Sequence, residues 1–178
     1  DTDLATPFGR RPVVVGYMGT ATHDADLALV LPALTELCAR FPGGVRLEIV
    51  GVAGRDETRR ALADLPVRFV APAGGEQEYP LFMLWFTTSL RWDIAIAPLC
   101  DTPFNRGKSD VKHLDYAALG APGVYSRVPA YAGTVLHLET GYLADNTVDA
   151  WLAGLTRLVE DAPLRRSLAL GAARYLHR

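Results

Sequence analysis

The chain has 178 residues, 18 lysines and arginines against 20 acids, and 49% hydrophobic residues. That is enough for one domain with a core of its own, and the near-balanced charge argues against a strongly basic nucleic-acid-binding surface. No apolar run reaches the length of a membrane span; the longest, Leu81 to Leu90, is broken by Thr87, Thr88 and Ser89.

Residues 1–11 are polar and irregular and read as a linker, so the domain proper is expected over 12–178. The chain starts at Asp1 without a leader pattern and is read as a piece of a longer protein. Val13 to Tyr17 predicts a buried strand, followed by the turn "GYMGTATHD". Asp24 and Asp26 sit early in the next helix, where the dipole favours negative charge. Leu27, Val30, Leu31, Leu34, Leu37, Cys38 and Phe41 then recur at helical spacing, with a kink expected at Pro32. Val45, Leu47 and Ile49 alternate with Arg46 and Glu48 in a second strand. A short helix over 56–64 and a third strand, Val67 to Ala71, follow. Tyr79 to Leu90 predicts an apolar helix, and Asp93 to Pro98 a fourth strand. A helix is expected from Ser109 to the stop at Gly120-Ala121-Pro122, then a fifth strand over 123–126 and a weaker one over 135–138. Helices over 147–160 and 162–176 complete the chain. Strands alternating with helices imply right-handed crossovers and an α/β, doubly wound parallel sheet with helices on both faces. Ligands bind such sheets at the carboxyl ends of the strands. That directs attention to residues 16–24, 51–56 and 99–116.

The stretch "GKSDVKHLDYAALGAP" begins with the tail of a phosphate-binding P-loop. The first glycine of that motif is absent, since Thr102 holds its place, and Pro103 has no amide hydrogen to offer a phosphate. The same stretch reads better as a helix start. Ser109 suits an N-cap, Val111, Leu114 and Ala118 form a packing face, and Lys108, Lys112 and Asp115 recur at i, i+4 and i+7. Free amides, the helix dipole and two ammonium groups would attract a diphosphate, and an ionised Asp115 accepts hydroxyls, as from a ribose. The bland alternative is an exposed helix with a Lys112–Asp115 ion pair. Gly19 and Thr20 bring backbone amides toward the same edge, or form an ordinary strand-to-helix turn. "GYMGTATHD" is not G-x-G-x-x-G, and the second strand ends Val50-Gly51-Val52 without an acid, which disfavours a nicotinamide-dependent oxidoreductase. His23 beside Asp24 is either an acid–base pair or a surface histidine and a helix charge; His113 is read as structural. No nucleophile elbow and no zinc motif occurs, and Cys38 and Cys100 read as reduced thiols of a cytosolic protein.

In this order the motifs resemble those of the carboxyl-terminal, nucleotide-sugar-binding domain of glycosyltransferases with the two-domain GT-B architecture, group one or family four. "VRLEIVGVAG" resembles the second-strand motif, "VRFVAP" the third strand and its loop, and "WDIAIAPL" the fourth strand. "LDYAALGAPGVYS" resembles the L-E-A-M-A-x-G-x-P-V-x-x-S motif, and "ETGYLADNTVDAWLAGLTRLVED" the later glycine turn and helix. The resemblance covers about residues 12–177. It implies a Rossmann-like half of a GT-B fold that binds a nucleotide diphosphate sugar and transfers the sugar, with retention, to a saccharide, lipid or other acceptor. Asp115 takes the position of the family glutamate that contacts ribose. Lys108 and Lys112 would serve the diphosphate and count as the catalytic pair, with Ser109 at the helix start. Gly19 and Thr20 fall near phosphates or sugar, Ala71 and Pro72 at the base, and Tyr79 beside it. The scheme requires no cofactor and no metal.

The family's first glutamate falls on Gly107, with Asp110 or Asp101 as substitutes, and the basic pair after the first strand is missing. The implied partners are the donor, the acceptor and the chain's own amino-terminal domain, which would supply the acceptor side; the domain alone is expected to be inactive. A cytoplasmic setting is expected, with any peripheral membrane contact made through the missing domain. Two alternatives accompany this reading. One is a nucleotide-sugar epimerase of the same architecture; the other is a degenerate, non-catalytic module used for assembly.

Overall fold

The structure is a computed structural model and describes residues 11–19, 24–51, 56–72, 74 and 78–176. Six strands, β1 (Val13–Met18), β2 (Val45–Val50), β3 (Val67–Val70), β4 (Ile94–Ala97), β5 (Gly123–Ser126) and β6 (Tyr142–Ala144), form one sheet in the order β3-β2-β1-β4-β5-β6. All five strand pairs are parallel. The helices between and after them are α1 (Asp24–Arg40), α2 (Asp56–Ala63), α3 (Tyr79–Ser89), α4 (Val111–Leu119), α5 (Pro129–Ala132), α6 (Val148–Glu160) and α7 (Ala162–Leu176).

Successive side chains on a strand point to opposite faces, so each strand feeds two cores. On one face Val13, Val15, Tyr17, Ile94 and Ile96 meet Leu27, Val30, Leu34 and Leu37 of α1, Leu62 of α2, and Trp151, Leu155 and Leu158 of α6. On the other Val14, Ala95 and Ala97 meet Phe86 of α3, Tyr116 of α4 and Tyr131 of α5. Burial on both faces explains why the strands read as nearly continuous apolar runs. Gly16 serves this second core. A Cβ there would lie 1.8 Å from Cδ2 of Trp92, whose indole N–H donates to the buried Glu48 at 3.1 Å. Gly16 is thus a packing glycine that lets an indole lie flat on β1.

Four expectations need correcting. The last strand is Tyr142–Ala144 and not 135–138. The earlier segment is a turn, with Leu138 at φ 65°, and His137 Nδ1 accepts the Leu143 N–H at 3.0 Å. α4 begins at Val111, because residues 105–107 form a 3-10 turn that Lys108 leaves in extended conformation. Asp110 holds the N-cap position, so the exposed Ser109 does not cap the helix. The packing face of α4 is His113, Tyr116 and Ala117; Val111 and Ala118 are exposed. Tyr116 wins its buried place by size and by donating its hydroxyl to the Ile96 carbonyl at 2.9 Å.

Arg11 grips Asp93 with two hydrogen bonds of 2.7 and 2.9 Å, and Asp93 also accepts the Val14 N–H at 2.8 Å. The start of β1 is thereby tied to the start of β4. No helix of the described residues is long and apolar enough to cross a membrane.

Candidate functional site

The carboxyl ends of β1, β2 and β3 and the starts of α3 and α4 enclose a cavity of about 400 Å³. Gly19, Ala71, Pro72, Tyr79, Lys112 and Asp115 all line it, together with Met18, Val50, Gly51, Phe82 and Val111. Six residues singled out in the sequence, from four separate segments, therefore meet in one place. Lys108 and Ser109 do not line it, and Thr20 and His23 lie outside the described residues.

The floor is backbone. The Gly19 N–H donates to the Val50 carbonyl at 3.0 Å. Gly51 has φ +92°, and a Cβ there would stand 1.8 Å from the Gly19 carbonyl oxygen. Gly51 is therefore needed both for its left-handed conformation and for the close approach of the two turns. Gly51 opens the 51–56 loop to which the sequence directs attention, but was not named there as a site residue.

One wall is the first two turns of α4. Asp115 is 3% exposed, and its carboxylate accepts the Tyr79 hydroxyl at 2.5 Å. Burial raises its pKa from the usual carboxylate range, while the Tyr79 hydrogen bond and the nearby Lys112 pull it back. Lys112 is partly buried, with its ammonium 5.0 Å from the centre of the Tyr17 ring. It makes no ion pair or hydrogen bond within the described residues, so the Lys112–Asp115 ion pair of the bland alternative is not formed. Desolvation lowers its pKa from 10.5 to about 8, against the opposing pull of Asp26. Lys108 lies within electrostatic range of Lys112, with its own ammonium over the exposed Phe104 ring.

Asp26 is the main residue that sequence reasoning under-read. It is buried, and its Oδ1 accepts the Cys100 N–H at 2.8 Å and the Asn105 amide at 3.4 Å. It thus anchors the loop that leads into α4, rather than merely complementing a helix dipole. Asp101, one candidate for the missing carboxylate, is instead gripped by Arg106 at 2.8 and 3.2 Å on the surface. Asp110, the other, accepts the His113 N–H at its backbone carbonyl at 2.7 Å, and it does not line the cavity. His113 is fully buried, stacked on Tyr175 and edge-on to Tyr125, as a structural histidine should be. Burial holds the Cys38 and Cys100 thiols up at about 11, so both stay protonated near neutrality. No group of three or more His, Cys, Asp or Glu side chains suited to a metal ion occurs among the described residues.

No protein-family model and no curated protein sequence matches the chain. Solved structures do. The C-terminal domain of a group 1 family glycosyl transferase, LpcC from Francisella tularensis, superposes with a TM-score of 0.70 at 14% identity, covering 99% of this chain and 92% of that one. WaaG, a glycosyltransferase involved in lipopolysaccharide biosynthesis, gives 0.69 at 15% identity over 96% of this chain. HepE from Anabaena, in complex with UDP and glucose, gives 0.68 at 15% identity over 93% of this chain. The match covers 44% of the WaaG chain and 44% of the HepE chain. The chain has the fold of the carboxyl-terminal domain of group 1 glycosyltransferases of the GT-B architecture.

Proposed function

We propose that this chain is the donor-binding domain of a glycosyltransferase and that the cavity holds a nucleotide diphosphate sugar. The observation that carries the reading is the cavity itself. It sits at the carboxyl edge of a doubly wound sheet, where such folds bind ligands, and one helix lines it with an acceptor carboxylate and an ammonium one turn apart. Asp115 accepts a ribose hydroxyl. Lys112 meets the diphosphate, with Lys108 adding positive potential at the rim and Gly19 bringing the β1 turn close. Ala71 and Pro72 hold the base through backbone groups.

In the transfer, the bond from the anomeric carbon to the diphosphate oxygen breaks, and that oxygen leaves with the electron pair. A bond to the acceptor oxygen forms, with retention of configuration, and the acceptor hydroxyl gives its proton to the departing diphosphate oxygen. Lys112 stabilises the charge that grows on the leaving diphosphate, the kind of preorganised electrostatic aid that dominates many enzymes. The scheme calls on no metal or other cofactor. An amino-terminal domain supplies the acceptor side, so this domain binds donor without turning it over.

Titration calorimetry with UDP, GDP and ADP tests the reading. One base should bind, and Asp115→Asn should weaken it by ~10-fold or more, the loss expected when a charged hydrogen-bond acceptor is neutralised. Absence of binding to all three, or full affinity in Asp115→Asn, overturns it. A second reading, a non-catalytic nucleotide-binding module, is favoured by Gly107, which stands where the resemblance places a sugar-contacting glutamate. It predicts nucleotide binding with no transfer by the whole protein.

A further inference from the structure

Asp115 is a buried carboxylate with few partners. Tyr79 is its sole hydrogen-bond donor among the described residues. Buried carboxylates ordinarily collect several donors, because desolvation without them is costly. Here one donor holds Oδ1 at 2.5 Å, and Oδ2 has none among the described residues, on a side chain that lines the cavity. Tyr79 itself is 56% exposed, in the first turn of α3. An exposed tyrosine is thus committed to a residue buried across the cavity, 36 positions along the chain.

We propose that Tyr79 is a positioning residue, whose hydroxyl fixes the Asp115 carboxylate so that its second oxygen is presented to a ligand hydroxyl. The ligand in this statement rests on the nucleotide reading above; the hold on Asp115 does not. The charged and titratable groups around Asp115 are Tyr79 from α3 and Lys112 from its own helix, and its charge is felt by Tyr125 of β5 and Tyr131 of α5. Burial favours the protonated acid, and Tyr79 and Lys112 oppose it. Removing the Tyr79 hydroxyl removes one of the two supports of the carboxylate. Asp115 then takes up its proton at higher pH and ceases to be a pure acceptor.

Tyr79→Phe deletes one oxygen from a largely exposed ring, so the fold is retained. The carboxyl carbon of Asp115 is followed by 13C NMR through a pH titration in the wild type and in Tyr79→Phe, with the signal assigned by its loss in Asp115→Asn. UDP, GDP and ADP affinities are measured between pH 5 and 8 on the same proteins. The titration midpoint should rise by about one pH unit in Tyr79→Phe, the size expected for loss of a charge-assisted hydrogen bond. Nucleotide affinity should fall roughly 5-fold to 10-fold, most at the acid end, where the weakened carboxylate is protonated first. An unmoved midpoint overturns the hold on Asp115. A shifted midpoint with unchanged affinity for a nucleotide that the wild type binds overturns the positioning role and leaves the nucleotide reading intact. A shifted midpoint in a protein that binds none of the three nucleotides upholds the hold and overturns the nucleotide reading instead.

Discussion

Replacing Lys112 by methionine should make the protein more stable and worse at binding. Lys112 carries its charge into a partly buried place, with the Tyr17 ring 5.0 Å from its ammonium. Moving an ammonium from 10.5 to about 8 corresponds to roughly 3 kcal/mol of disfavour for the charged form, at 1.36 kcal/mol per pKa unit. Part of that is screened by solvent, and methionine forfeits a cation–π contact of ~0.5–1 kcal/mol. A net gain of ~1–2 kcal/mol at pH 7 remains, measurable by urea denaturation. The pH dependence gives a sharper signature. Between about 8 and 10.5 the unfolded chain keeps the Lys112 proton and the folded chain has released it. Stability of the wild type therefore rises with pH across that window relative to Lys112→Met, and the advantage of the mutant disappears by its upper end. Over the same change, affinity for the nucleoside diphosphate should drop ~10-fold to 100-fold, or ~1.4–2.8 kcal/mol. A mutant that is less stable at pH 7 and follows the wild type in parallel across the window would refute the reasoning. Lys112 would then be a structural lysine.

Gly51→Ala should destabilise the domain by ~2–4 kcal/mol in urea melts, from left-handed backbone strain plus a collision with the Gly19 carbonyl. Its nucleotide affinity should fall as well, because the same collision displaces the β1 turn; a mutant within ~0.5 kcal/mol of wild type shows that the two turns are not in contact. His113 is held neutral by burial, below its usual 6.5. The unfolded chain binds that proton first, so wild-type stability should fall as pH drops through about 6.5. His113→Phe should lose less between pH 7 and 5, although it starts lower by losing the Thr140 contact at 3.3 Å. Parallel acid profiles for the two proteins count against this account.

The parts of the site legible in the sequence were those set by local pattern. Short apolar runs gave the strands, and strand–helix alternation fixed which ends face a ligand. Gly19, Lys112 and Asp115 could then be placed on one edge without knowing any distance, and the family resemblance added Ala71 and Pro72. What stayed illegible depends on partners far along the chain. The Tyr79–Asp115 bond spans 36 residues and the Asp26–Cys100 bond 74, and no spacing rule connects them. Local competition misled twice. Ser109 has the chemistry of an N-cap, but the 3-10 turn at 105–107 delays the helix past it. Residues 135–138 have the apolar character of a strand, but the Thr140 hydroxyl accepts the Leu136 N–H at 2.9 Å and closes a turn. Tyr142–Ala144, with weaker propensity, then pairs with β5 because it arrives in register.

The departure at Gly107 can be weighed against these energetics. The glycine is not imposed by the fold: its φ is not positive, and an added Cβ meets nothing within 4 Å. Packing therefore does not explain why a longer side chain is missing there. Lys112 and Asp115 stand in the opposite position. Each carries a group into the cavity at a cost in stability that a neutral residue of similar size avoids. A domain used for assembly alone would lose nothing by shedding both charges. Their presence on one cavity wall argues for a bound anion and hydroxyl, the two features of a nucleoside diphosphate. On the proposed reading, the change at Gly107 bears on how the sugar beyond the diphosphate is contacted, and not on whether the nucleotide is held.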